Sequence, residues 1–207
     1  MAKKDVITTD WTPVLKAQEQ CSRKIIQRTA TAILKKAGMT DTPPKRKFSF
    51  KSKNDLLDVY KLAAYLFVFG EFELCFDVCS ICDHVVFKGN YDLWNLIEYL
   101  RVMKIYIFRM NGNETAAQQI IDILREHEAP IENYDRYWKF LRNRAIEEFT
   151  YEEYHHGIVE KSTIRYLAMG TCMSCIHYMQ MGYLPEKHSE MQEWSEKIIE
   201  FLRKEEE

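Results

Sequence analysis

Glycine and proline are scarce in this chain. Its 207 residues hold 7 Gly and 5 Pro, too few for a fold that turns about every 8–12 residues as sandwiches and barrels do. Long apolar runs are missing too. The longest, Leu62 to Phe69, falls far short of the ~18 residues a membrane span needs. The opening MAKKDVITTDWTP has basic residues but no apolar stretch behind them, so no secretory signal is expected. There is no G-x-S-x-G elbow and no glycine-rich loop to cradle a phosphate. These absences exclude β-rich and membrane-spanning folds and the enzyme classes those motifs mark. The expectation is a soluble cytoplasmic protein with no cofactor and no membrane partner, and not an enzyme.

What is present points to helix. Hydrophobic residues make up 46% and aromatics 13%, enough for a packed core. The organising stretch is Leu56 to Gly89, which reads as two apolar helices hinged at Gly70. Asn54 can cap the first, because its side-chain oxygen can accept from the open backbone N–H groups of the first turn. Leu56, Leu57, Tyr60, Ala63, Ala64, Phe67 and Val68 then recur at helical spacing. Gly70 suits the left-handed turn that ends helices. The second helix carries Phe72, Cys75, Phe76, Cys79, Cys82 and Val86 inward and stops at Gly89. Its small residues Cys75, Cys79 and Cys82 share one face and let a neighbour approach closely.

Ala63, Gly70, Phe72 and the small residues Cys75, Cys79 and Cys82 resemble the pattern of a tetratricopeptide repeat. Echoes follow at Ile105, Phe108, Gly112 and Ala117, and at Cys175, Tyr178, Gly182 and Tyr183. The hinge glycines stand 42 and then 70 residues apart, where the family's period is about 34. The usual opening tryptophan and closing proline are absent. The resemblance implies stacked antiparallel helical hairpins across residues 54–204, a superhelix or bundle of the kind that binds proteins.

Charge is unevenly spread. Residues 1–53 hold 13 Lys and Arg against 4 Asp and Glu, and the remainder holds 16 against 27, within a net charge of −2. Either the two parts attract each other across an interface or are simply solvated, or the basic part meets an acidic partner or nucleic acid.

In chain order, Thr12-Pro13 opens a helix expected to run to about Ala37 and stop at Gly38. Its thin stripe (Val14, Cys21, Ile25, Ile26, Ile33, Leu34) predicts a place on the outside of the bundle. The segment TDTPPKRKFSFKSK is a basic linker, broken by Pro43-Pro44 and able to dock through Phe48 and Phe50. It resembles a localisation signal only in composition. Asn90 or Asp92 can cap a long helix that is apolar almost all round (Trp94, Ile97, Leu100, Met103, Ile105, Ile107, Phe108) and so belongs mid-stack. Asn111-Gly112-Asn113 turns the chain into an amphipathic helix, Ala116 to about Glu126. Ser162 can cap a helix to Gly182. Pro185 starts the last, with Met191, Trp194, Ile198 and Leu202 inward.

Residues 133–157 are rich in Tyr, Trp, Arg and Glu, the first three being types enriched at binding hot spots. Tyr134, Tyr137, Trp138, Arg142, Tyr151 and Tyr154 are the candidate partner-binding residues. The alternative is that these rings pack between hairpins. Two pairs, Cys79-x-x-Cys82 and Cys172-x-x-Cys175, have the spacing of a tetrahedral zinc site. Both sit inside apolar helical patterns, where the same spacing arises from packing alone, so no metal is assigned. Glu152-x-x-His155 and Glu153-x-x-His156 lack the second helix copy a di-iron site requires.

The sequence therefore predicts an all-α protein of about seven helices, with a basic helix and linker over 1–53 and a helical-hairpin core over 54–207. The expected function is non-catalytic protein or peptide binding. Nucleic-acid association through 1–53, or a helical zinc protein, are the alternatives.

Overall fold

The computed structural model describes residues 9–41, 43–44, 46–128, 133–136, 138–140, 143 and 161–204. Among these there are eight α-helices, one short 3-10 helix and no strand. They are α1 Thr12–Gln20, α2 Lys24–Ala37, α3 Lys53–Val68, α4 Phe72–Ser80, α5 Tyr91–Met110, α6 Glu114–Arg125, α7 Lys161–Met181 and α8 His188–Lys204, with the 3-10 helix Pro185–Lys187 leading into α8. Residues 134–136 and 138–140 are also helical.

Sequence neighbours pack on one another: α1 on α2, α3 on α4, α5 on α6 and α7 on α8. The middle of the molecule is α5, which touches α3, α4, α6 and α7. The periodicity explains its position, since Trp94, Ile97, Leu100, Val102, Met103 and Ile105 are all buried. Turns fall where glycine permits them. Gly70 has φ +80° and its N–H donates to the Phe67 carbonyl, a left-handed turn that a Cβ would penalise. Asn90 accepts from the Leu93 N–H, and Asn113 from the Ala116 N–H, as helix caps.

Three expectations need correction. The helix expected over 12–37 breaks at residues 21–23. Cys21 takes an extended backbone (ψ 131°), and its carbonyl accepts from Gln27 Nε2 at 2.9 Å. The break lets α1 lie against α2, which two parts of one straight helix cannot do. It also brings Val14 and Ala17 into the core with Ile26, Ala30, Ile33 and Leu34, while α1 and α2 meet the other helices chiefly through α3 and α4. Next, Asn54 lies within the first turn of α3 and caps nothing, because α3 already begins at Lys53. Lastly, α4 ends at Ser80 and not near Gly89. Its continuation is a turn at residues 81–84 and a non-helical segment at 85–88, which leaves Val86 61% exposed instead of inward.

The basic linker is docked. Trp11, Phe48 and Phe50 meet ring against ring, with Trp11–Phe48 centroids 4.8 Å apart and Phe48–Phe50 5.0 Å apart. Asp55, whose side chain is fully buried, gathers the charges: Arg46 donates two hydrogen bonds to it (2.5 and 2.6 Å), the Ser49 N–H a third (3.0 Å), and Lys36 stands 3.2 Å away. Burial alone would raise the Asp55 carboxyl, but these donors hold it below the usual carboxylate range. Lys36 also pairs with Asp58, and Lys53 with Asp92 at 3.3 Å. Part of the charge asymmetry is thus met internally, across the boundary at residue 53.

One buried cluster runs from Val14 on α1 to Leu202 on α8. A second joins Trp138 to Cys175, Tyr178 and Met191. No helix among the described residues is long and apolar enough to cross a membrane.

Candidate functional site

The early end of α4 has a structural cause on the central helix. Within its apolar surround, α5 carries Glu98, Arg101 and Lys104, all buried and spaced so that they share a face. Lys104 Nζ meets Asp83 at 2.5 Å and sits 4.7 Å from the Phe76 ring centre. Arg101 donates to the Val85 carbonyl at 3.0 Å, with its guanidinium 4.9 Å from the Trp94 ring centre. Two buried cations therefore hold the turn and the segment after it, Lys104 through its pair with Asp83 and Arg101 through the Val85 carbonyl. Arg101 Nη1 is enclosed without a hydrogen-bond partner among the described residues.

Between that segment and α5 lies a cavity of about 270 Å³. Val85, Phe87, Leu93, Trp94 and Ile97 line it, with Phe50 from the docked linker. Its rings form two groups: Phe50 on His84 at 4.5 Å, and Phe87 on Trp94 at 5.5 Å, with Phe87 backed by His127 at 5.2 Å. Val86, Lys51, His84, Lys88 and Asn90 complete the lining, and no acidic residue is among them. An apolar floor with a few polar groups on one side is the usual make-up of a binding site.

Glu98 lies one residue beyond Ile97 but does not line the cavity. Its carboxyl is pushed up to about 7, chiefly by burial and then by the nearby Glu128 carboxylate, against the pull of Trp94 and Arg101. Burial likewise raises Glu128, whose Oε1 is enclosed without a hydrogen-bond partner among the described residues.

Of the residues singled out from sequence for partner binding, Tyr134 and Trp138 are described. Tyr134 is half-buried and stacks on Tyr183, centroids 4.4 Å apart. Trp138 is buried against α7 and α8, so its ring has no face left for a partner. Tyr137, Arg142, Tyr151 and Tyr154 lie outside the described residues, as do Glu152, Glu153, His155 and His156. The cysteines Cys79, Cys82, Cys172 and Cys175 are all buried and free. Burial raises their thiols, Cys175 to about 12. No group of three or more His, Cys, Asp or Glu among the described residues is placed to hold a metal.

The sequence does not show the cavity, because its periodicity predicts one helix running through Val86 to Gly89. The available signal was the run of charges at 98, 101 and 104 on an otherwise apolar helix.

Fold and site together define an all-helical protein with an apolar, basic-rimmed groove. The chain belongs to DUF6707, described as a family of unknown function, whose pattern matches residues 8–148. That span contains α1 to α6 and every residue lining the groove. No curated protein and no solved structure matches the chain.

Proposed function

We propose that this protein is a non-catalytic interaction module, a short stack of helical hairpins that binds a segment of another protein. One observation carries the reading: a groove of apolar rings, held open by Arg101 and Lys104, with Val86 exposed at its edge. Maintaining such a groove exposes apolar surface that a purely structural segment would bury. Its place within the region shared across the family supports the same reading. Nucleic-acid binding through residues 1–53 has less support, since Lys36, Arg46 and Lys53 already pair with Asp55, Asp58 and Asp92.

The test is affinity capture from native lysate with the full chain and with Val86→Asp, each with and without nuclease. A polypeptide retained by the wild type, indifferent to nuclease and lost with Val86→Asp, is the expected result. Capture that nuclease abolishes, or that Val86→Asp leaves unchanged, would contradict it.

A further inference from the structure

We infer that the groove's occupant is an acidic peptide segment carrying one aromatic or branched aliphatic anchor, an inference that rests on the interaction reading above. Size sets the anchor. A cavity of about 270 Å³ walled by Phe50, Val85, Phe87, Leu93 and Trp94 takes a large apolar side chain or two, and such burial is where peptide affinity concentrates.

Charge sets the flanks. Residues 54–207 hold 27 Asp and Glu against 16 Lys and Arg, yet none of the acids lines the groove, while Lys51 and Lys88 do. Neither lysine makes an ion pair among the described residues, whereas the neighbouring Lys53 and Lys104 are paired with Asp92 and Asp83. Two unpaired cations at the rim, on an otherwise acidic body, favour carboxylates on the incoming chain and disfavour a basic one. Phe50 and Lys51 come from the docked linker and Val85 to Lys88 from the segment after α4, so the anchor and the carboxylates meet the same two stretches of chain.

The experiment is a selection of displayed random peptides on the intact protein, run in parallel on Val86→Asp and on the double variant Lys51→Glu/Lys88→Glu. All three changed positions are solvent-exposed, so the variants keep the fold. Expected are peptides with one aromatic or aliphatic anchor flanked by Asp or Glu. They should bind Val86→Asp at least about tenfold more weakly. The double lysine variant should lower their affinity about three- to tenfold at low ionic strength, a difference that shrinks as salt rises. Enriched peptides without an acidic excess, or acidic ones indifferent to the double variant, would overturn the inference and leave the interaction reading in place. No enrichment over Val86→Asp would overturn both. A short oligonucleotide perturbing the Val86 to Lys88 amides more than any selected peptide would overturn the inference in favour of a phosphate-backbone ligand.

Discussion

Glu98 shows how burial gives a single side chain a measurable pH response. Its carboxyl is raised from 4.5 to about 7 in the folded protein. Below about pH 4.5 the group is protonated in both the folded and the unfolded chain, and nothing is lost. Between about 4.5 and 7 the unfolded chain gives up its proton while the folded one keeps it. Stability therefore falls as pH rises through that window, by about 3–4 kcal/mol for a shift of this size. Glutamine has no such proton, so Glu98→Gln should exceed the wild type by about that amount near pH 8 and match it at the acid end. Denaturant unfolding across pH reads the gap directly. A gap that does not change with pH would assign the effect to packing. The sequence offered little warning of this behaviour, because the response depends first on the burial of Glu98 within the fold and then on the approach of Glu128, both tertiary placements. Asp55 is similar: an acid in a helix's first turn reads as a favourable charge near the helix dipole, and its pairing with Arg46 and Lys36 appears only once the linker folds back.

Helix positions were legible where periodicity and glycine agreed. The central place of α5, the left-handed turns at Gly38, Gly70, Gly112 and Gly182, and the cap at Asn90 all follow from local chemistry. Two boundaries were not legible. The break at residues 21–23 contains neither glycine nor proline, and is fixed by α1 packing back on α2 and α4. The end of α4 is set by cations on another helix. That second cause makes a prediction for the segment it holds. Arg101→Ala removes the donor to the Val85 carbonyl and should cost about 1.5–3 kcal/mol, the range for hydrogen bonds to charged groups. It should also speed amide exchange at Cys82, Asp83 and Val85, whose N–H groups are hydrogen-bonded in this turn, while leaving α7 and α8 protected. Uniform loss of protection across the molecule would show instead that Arg101 supports the whole core.

Taken as a whole, the described residues place an apolar cavity where an irregular segment crosses the helices, with Val86 exposed at its edge, while Met39, Met110, Ile123 and Phe140 are exposed elsewhere. All-helical architecture was legible from composition and spacing. The groove was not, because it exists only where a predicted helix stops short. The face around Tyr134 and Trp138, conspicuous for its rings, supplies packing for α7 and α8 at both of these residues. The most direct test places a photoreactive residue at Val86, on the groove, and separately at Ile123, an exposed apolar position on α6 away from it. After irradiation in native lysate, the account predicts a discrete polypeptide adduct at Val86, unaffected by nuclease and absent at Ile123. Equal labelling at the two positions, or no polypeptide adduct at Val86, would contradict it.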